Sequence, residues 1–177
     1  MVADLWNKLR VCFEADDGSL PGIEIANLTG PQVGNIYRML RQRSVMVTPN
    51  AEFWSETKQT SEPVDSVANP ALLVAQGGAA PFHHCVGGIQ VGDVVLPDLG
   101  LFVFKDMIEL DYRMGADWGQ EQVSALFQLL FEICEMAPQA VVQPAESEGP
   151  PFPDRFSTAW GEYRREKKSG RPVSFSK

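Results

Sequence analysis

The sequence "FHHCVGGIQVGDVVLPDLGLFVFKDMIELDYRM" occupies residues 82–114 and consists of short apolar or alternating runs broken by Gly and Pro. Runs of this kind are typical of β-strands joined by tight turns. Together with the apolar run "ALLVAQ" just before it, the segment predicts a meander of antiparallel strands. The predicted strands lie near residues 71–75, 82–86, 89–96, 100–105 and 107–113.

Two helices flank this meander. In "TGPQVGNIYRMLRQRS", Thr29 is a helix cap and Gln32, three residues later, completes a capping box, so a helix is predicted from residue 30 to about 44. In "ADWGQEQVSALFQLLFEICEMAP", Asp117 is the predicted cap and Pro138 marks the end. Both segments carry apolar residues at helical spacing, so each is expected to pack on the sheet. Leu129, Phe131 and Met136 widen the apolar face of the second helix, which indicates burial on more than one side or a dimer contact.

The N-terminal part is expected to add a hairpin. "LRVCFEA" alternates apolar and polar residues from Leu9, and "GIEIANL" does the same from Gly22, so both predict strands joined by the acidic loop "DDGSLPG". Residues 49–69 are polar and aperiodic, which predicts a long loop with Phe53 and Trp54 as its anchors.

The C-terminal part changes character after residue 138. "QPAESEGPPFPD" has four prolines in twelve residues, which predicts a linker over 139–153. Asp154 then caps a short helix that ends in a basic tail. We therefore expect an α+β core domain over 1–138, with a largely antiparallel sheet packed by two main helices, followed by the linker and a C-terminal helix with its tail over 154–177.

Composition restricts the class of protein. The chain has 177 residues and a net charge of −8, of which residues 164–177 contribute +5 and the rest −13. An acidic body repels nucleic acid and anionic membranes and favours basic protein partners. No apolar run approaches the roughly 20 residues that cross a bilayer, and the start "MVADLWNKLR" has no export signal, so residence in the cytoplasm is expected. Three scattered cysteines in apolar surroundings predict reduced thiols.

Both histidines of the chain lie in "FHHC" and are the first candidates for chemistry. Side chains alternate between the faces of a strand, so His83 and His84 should point apart and only His83 and Cys85 share a face. Two converging ligands are too few for a zinc site unless Asp or Glu from elsewhere completes it. A cysteine nucleophile with a histidine base remains open, although ordinary sheet residues are the favoured interpretation.

Acidic residues form a second candidate site. Glu109 and Asp111 share a strand face, and Asp98 lies about ten residues earlier, an arrangement that can hold Mg²⁺ in nucleases. The lysine expected in such a site is absent, so a solvated acidic face that meets a basic partner is the favoured interpretation. The glycine-rich stretches match neither dinucleotide-binding nor phosphate-binding motifs, and no cofactor is expected.

Two stretches resemble a known class of protein. "DDGSLPGIEIANLTGPQVGNIYRMLRQRS" and "DYRMGADWGQEQVSALFQLLFEI" are similar to small acidic bacterial proteins, some of which look like immunity proteins encoded beside secreted toxin domains. The resemblance rests on overall pattern and carries over no functional residue. It implies an inhibitor that binds a toxin and covers its active site.

The sequence thus predicts a non-enzymatic binding protein, an immunity-type inhibitor of a basic toxin domain. Two alternatives remain: a small enzyme that uses His83 or His84 with Cys85 or a carboxylate, and a homo-oligomeric structural or adaptor protein such as a homodimer. The interface of the homo-oligomer would be formed by the wide apolar helix from 119 to 136 and the aromatic stripe of Phe156, Trp160 and Tyr163. For the leading hypothesis, acidic residues around aromatic anchors would form the partner-binding site. The predicted binding residues are Asp16, Asp17, Trp54, Glu109, Asp111 and Trp118.

Overall fold

The structure, a computed structural model, describes residues 2–170, with side chains from Leu5 onward. It has the predicted α+β fold, with an antiparallel six-stranded sheet, two main helices and a C-terminal helix. The helices are α1 (Val2–Leu9), α2 (Gly30–Gln42), α3 (Pro70–Ala75), α4 (Gln120–Met136) and α5 (Pro153–Lys168). The strands are β1 (Gly22–Ala26), β2 (Val45–Met46), β3 (Glu52–Ser55), β4 (Thr60–Pro63), β5 (Phe82–Gly87), β6 (Gln90–Val91), β7 (Val94–Val95), β8 (Leu99–Val103), β9 (Ile108–Tyr112) and β10 (Val141–Pro144).

The main sheet has the strand order β10-β1-β9-β8-β5-β2. Strands β5, β8 and β9 form an antiparallel meander, because β8 pairs with both β5 and β9. The stretch predicted as one strand over 89–96 is instead the short β6–β7 hairpin, which lies outside the main sheet. Strand β1 inserts between β9 and β10, so it pairs only with strands that lie far from it in sequence. The β3–β4 and β6–β7 pairs are small separate hairpins.

The two faces of this sheet differ sharply. One face carries the apolar residues of the alternating pattern and belongs to a single core cluster with α2 and α4. Burial of these side chains is the main favourable term that stabilises the fold. The sheet residues on this face are Ile23, Ile25, Phe82, His84, Val86, Leu99, Leu101, Val103, Ile108, Leu110, Tyr112 and Val142.

Both main helices agree closely with the sequence. The capping box that was predicted for α2 is formed between Thr29 and Gln32, and the stripe of Val33, Ile36 and Leu40 is fully buried. Helix α4 begins at Gln120 with Gly119 as its cap, so the prediction of Asp117 as the cap is wrong by two residues. Eight of its residues are buried, which explains its nearly continuous apolar sequence.

The prediction of a strand at residues 9–14 is wrong. Helix α1 ends at Leu9 and a 3₁₀ turn covers Arg10–Cys12. The buried residues of this segment, Leu5, Leu9, Cys12 and Phe13, follow a helical spacing that competes with the alternation seen from Leu9 onward. The N-terminal hairpin therefore does not exist, and β1 is paired elsewhere.

Residues 71–75 form α3 and not the predicted strand. Asn69 caps this helix by accepting a hydrogen bond from the Leu72 amide at 3.2 Å, and Pro70 occupies its first turn. The stretch predicted as a loop, 49–69, contains the β3–β4 hairpin. Its polar side chains hid the alternation, because only one face of this hairpin packs on the core.

The prediction of a linker over 139–153 is also wrong. Strand β10 pairs with β1 over four residues, and the Cys12 thiol donates to the Pro151 carbonyl at 2.9 Å. Helix α5 then packs on α4 through an aromatic cluster, with ring centroids of Phe156, Trp160 and Tyr163 within 5.6 Å of Phe127. The described C-terminal part is thus integral to the core.

Candidate functional site

The second face of the sheet carries polar side chains and is the candidate site. We call it the open face, and its residues alternate with the buried ones along each strand. Register places Glu24, Glu109, Phe102 and His83 side by side in one row across four strands. The open face consists of Gly22, Glu24, His83, Cys85, Gly100, Phe102, Glu109 and Asp111.

Glycines on the open face make room for carboxylates from neighbouring strands. Gly100 lies opposite Asp111 in the register, and a Cβ added at Gly100 would overlap the Asp111 carboxylate. In the same way, a Cβ at Gly22 would overlap the carboxylate of Glu109. The two acidic side chains therefore lie flat across the next strand, because those strands have no side chain there.

Asp111 uses this space to reach His83. The two residues lie on β9 and β5, which β8 separates, so their backbones are about 10 Å apart at the usual strand spacing. Asp111 Oδ2 lies 2.6 Å from His83 Nε2, although Asp111 is buried and His83 is exposed. The hydrogen bond with Asp111 raises the pKa of His83 above its ordinary value of 6.5, while partial burial lowers it.

Glu109 and Glu24 form the acidic centre of the open face. They are directly opposite each other on neighbouring strands, a position in which like charges are destabilising. Burial, followed by the charges of Glu24 and Asp111, raises the pKa of Glu109 above its ordinary value of 4.5. Glu24 accepts hydrogen bonds from the Gln143 side chain at 2.9 Å and the Glu146 amide at 3.3 Å. Among the described residues, neither glutamate has a lysine or arginine in a salt bridge.

Aromatic rings adjoin these carboxylates. The His83 ring meets the edge of the Phe102 ring at a centroid distance of 5.6 Å, and Phe102 contacts Phe104 at 4.3 Å. Cys85 shares the face with His83 and is half-buried, with its amide donating to Thr48 Oγ1 at 2.8 Å. The open face therefore combines carboxylates, an imidazole, a thiol and the half-buried ring of Phe102.

His84 points into the core, as the alternation predicted. It is fully buried, and its Nε2 lies 2.9 Å from the Tyr37 hydroxyl of α2, while its Nδ1 has no partner among the described residues. Burial, aided by the charge of Arg41, lowers the pKa of His84 to about 4. A neutral imidazole without access to solvent is a structural residue, so His84 is not a candidate for the site.

The structure separates the six predicted binding residues. Glu109 and Asp111 lie on the open face, while Asp16 and Asp17 lie in the loop before β1, where Asp16 accepts from Arg113 at 2.9 Å and Asp17 from Ser19 at 2.6 Å. Trp54 is exposed on the β3–β4 hairpin, apart from that face.

Trp118 is a correction, because it belongs to the core and is not a surface anchor. It is 4% exposed, contacts the rings of both Phe13 and Tyr112, and donates its indole N–H to the Arg113 carbonyl at 2.8 Å. Trp118 was predicted to be exposed because it is next to an acidic residue in the sequence, but the turn after β9 places its side chain in the core. Sequence reasoning also missed Glu24 and Phe102, which the strand register alone brings beside Glu109.

The described residues do not assemble a metal centre. Among the side chains described from Leu5 to Gly170, no group of three or more His, Cys, Asp or Glu is arranged to hold a metal ion. Asp98 therefore does not complete a cation site with Glu109 and Asp111. Cys12, Cys85 and Cys134 are free thiols.

No family model, curated protein or solved structure matches the chain. None of the described helices has both the length and the apolar character that crossing a membrane requires. Functional arguments therefore depend on the geometry of the open face.

Proposed function

We propose that the chain is a non-enzymatic binding protein of the immunity type, which neutralises a basic toxin domain by docking it on the open face of the sheet. The carrying observation is the pair of Glu24 and Glu109, which lie directly opposite each other and have no cationic partner among residues 2–170. A partner that brings Arg or Lys against this pair would relieve like-charge repulsion inside the sheet. The proposal includes residence in the cytoplasm, with which three free thiols are compatible.

The surroundings of the pair support binding to a protein. Phe102 offers a flat apolar surface beside the carboxylates, and an arginine can stack on an aromatic ring while it bonds to a carboxylate. The net charge of −8 would accelerate the encounter with a basic partner. Asp16 and Trp54 lie apart from this surface, so the proposed docking site contains fewer of the residues that were predicted from the sequence.

The alternative of a homo-oligomer loses its proposed interface. The stripe of Phe156, Trp160 and Tyr163 is buried within one chain, and so are eight residues of α4. Of the residues that widen the apolar face of α4, Leu129 is buried, Phe131 is half-buried and Met136 is exposed. Exposed apolar residues of the described part are dispersed over different elements. A small scattered set of this kind is normal on a monomer surface and does not indicate a dimer contact.

A pair of matched charge variants tests the proposal. In Glu24→Gln/Glu109→Gln the open face loses two negative charges, while in Glu121→Gln/Glu135→Gln the exposed side of α4 loses the same number. Tagged proteins are used to capture partners from the source cells at low salt, and retained proteins are eluted with increasing salt. We expect one basic protein to bind the wild type and the α4 variant, with binding to the open-face variant weaker by roughly tenfold or more.

Neutralisation is then measured directly. The captured protein is expressed in a heterologous host together with each variant, and growth is recorded. The wild type and the α4 variant should restore growth, whereas the open-face variant should not. Equal protection by both variants would exclude the open face as the docking site, and absence of toxicity from the captured protein would exclude the immunity role.

A second candidate function is a small enzyme centred on His83. The specific observation in its favour is the 2.6 Å contact with the buried Asp111, since a carboxylate that orients an imidazole is part of many catalytic sites. Cys85 on the same face would be the nucleophile, with His83 as its base.

The reactivity of Cys85 towards iodoacetamide tests this candidate. Burial raises the pKa of Cys12 to about 11 and also raises that of Cys134, so Cys85 should account for nearly all alkylation of the folded protein. An activated thiol would react rapidly at pH 6.5 and would lose this reactivity in His83→Gln. Reaction at the rate of a free cysteine in both proteins would exclude the enzyme.

A further inference from the structure

The open face contains a group that can change its charge near neutral pH, His83, and it is hydrogen-bonded to one of the carboxylates of this face. His83 is bonded to Asp111 at 2.6 Å, is next to Phe102 in the register and shares the row with Glu109. A protonated His83 would offset the charge of Asp111 and would weaken the attraction between the open face and a cationic partner. A neutral His83 leaves that carboxylate with its full charge.

We infer that His83 is a pH-dependent gate of the open face: its protonation weakens the docking of a cationic partner, and its deprotonation strengthens it. This inference rests on the proposed function, because it assigns a regulation to the same surface. The gate follows from geometry. Asp111 can cross β8 to His83 only because Gly100 has no side chain, so the contact is built into the sheet.

The groups around His83 determine the direction and range of the effect. Strand β9 presents Asp111 and Glu109, and the residue after its end, Arg113, is paired with Asp16. Strand β1 presents Glu24, the segment after β10 presents Glu148, Asp98 precedes β8, and β5 itself presents Cys85. Negative groups dominate, and the bond to Asp111 is the largest influence that raises the pKa of His83 above 6.5.

The other histidine does not contribute to this pH dependence. Burial lowers the pKa of His84 to about 4, so its ring stays neutral over the pH range in which His83 changes charge. Burial and the charges of Glu24 and Asp111 raise the pKa of Glu109 from 4.5, so this residue also loses negative charge as the pH falls. Both changes have the same sign, since the open face becomes less negative as the pH falls.

An acetylated decalysine peptide is a suitable probe, because its side chains keep their charge between pH 6.0 and 8.5. Binding to the whole protein is measured by calorimetry or fluorescence anisotropy at low salt. One charge at about 7 Å from a bound ammonium in water changes affinity by roughly threefold. From pH 8.5 to 6.0, the affinity of the wild type for decalysine should fall by about threefold more than the affinity of His83→Gln falls over the same range.

Asp111→Asn provides a second variant that keeps the imidazole. Because the variant lacks the charged acceptor, the pKa of His83 should be lower than in the wild type, and NMR of the ring protons measures this change. The pH dependence of decalysine binding should shift to lower pH in the same way. Proton resonances that titrate at the same pH in both proteins would overturn the inference.

The outcomes separate the gate from the proposed function. Decalysine binding that depends on Glu24 and Glu109 but has the same pH profile in wild type and His83→Gln overturns the gate and leaves the docking face in place. Binding that is unaffected by Glu24→Gln/Glu109→Gln overturns both. Decalysine binding that depends on Glu24 and Glu109, and whose pH dependence is lost in His83→Gln, supports both the gate and the docking face.

Discussion

Replacing Gly100 with alanine should break the contact between Asp111 and His83 without touching either residue. The new Cβ would occupy the space of the Asp111 carboxylate, which must then rotate away from β5. A hydrogen bond to a charged group contributes about 1.5–3 kcal/mol when it is well shielded. Since 37% of the His83 side chain is exposed, solvent screening reduces the expected loss to about 1 kcal/mol.

The loss should depend on pH in a defined direction. The pKa of His83 is raised in the folded protein, so its contribution to stability is fully present below 6.5 and is lost as the pH rises through the folded value. Gly100→Ala should therefore lower the melting temperature more at pH 6 than at pH 9. For a chain of this length, about 1 kcal/mol corresponds to a difference of roughly 2–4 °C between the two conditions.

The assay is thermal unfolding followed by circular dichroism at both pH values, with an alanine substitution elsewhere as control. Gly161 in α5 suits this purpose, because a Cβ there meets no atom within 4 Å. Gly161→Ala should be neutral or slightly stabilising at either pH. A Gly100→Ala protein whose loss is equal at pH 6 and pH 9, or whose His83 resonance still titrates as in wild type, would refute the argument.

Three further predictions concern the core. His84 binds its proton only near pH 4 when folded, so acidification from pH 6.5 to 5 should destabilise the wild type by about 2 kcal/mol, and His84→Gln should flatten this part of the stability profile. Phe127→Ala should lower the free energy of unfolding by about 3–5 kcal/mol and loosen α5. Limited proteolysis would detect the loosening as cleavage between residues 145 and 152, and unchanged resistance to the protease would contradict this packing. Asn69→Ala removes the cap of α3 and the 2.9 Å bond to the Gly34 carbonyl, so urea unfolding should show a loss of about 1–2 kcal/mol, whereas a loss below 0.5 kcal/mol would show that water replaces both bonds.

Local patterns predicted the parts of the fold in which one face of an element is buried. The alternation in β5, β8 and β9 and the stripes of α2 and α4 were correct for this reason. The N-terminal helix was missed because Leu9 and Phe13 satisfy both a period of two and a helical spacing. In the case of α3, the Asn-Pro pair before it was a readable start signal that the apolar run obscured.

The remaining errors concern long-range pairing. Strand β10 lies in a proline-rich segment, and its place beside β1 depends on backbone bonds that leave little trace in side chains. The site shows the same limit. Glu109 and Asp111 could be placed on one face from their spacing, but Glu24 and His83 come beside them only through the order of strands in the sheet.

The position of β1 has a consequence for how the chain is made. Its two neighbours are β9 and β10; the second is complete only at residue 144, and the strand has no hydrogen-bonding partner in the sheet at all until the ribosome has completed β9 at residue 112. Until then Gly22–Ala26 is an apolar segment with both backbone edges open, a condition that invites pairing between nascent chains. A gene shortened at codon 138 would keep β9 but remove β10, so the outer edge of β1 would stay bare in the finished product.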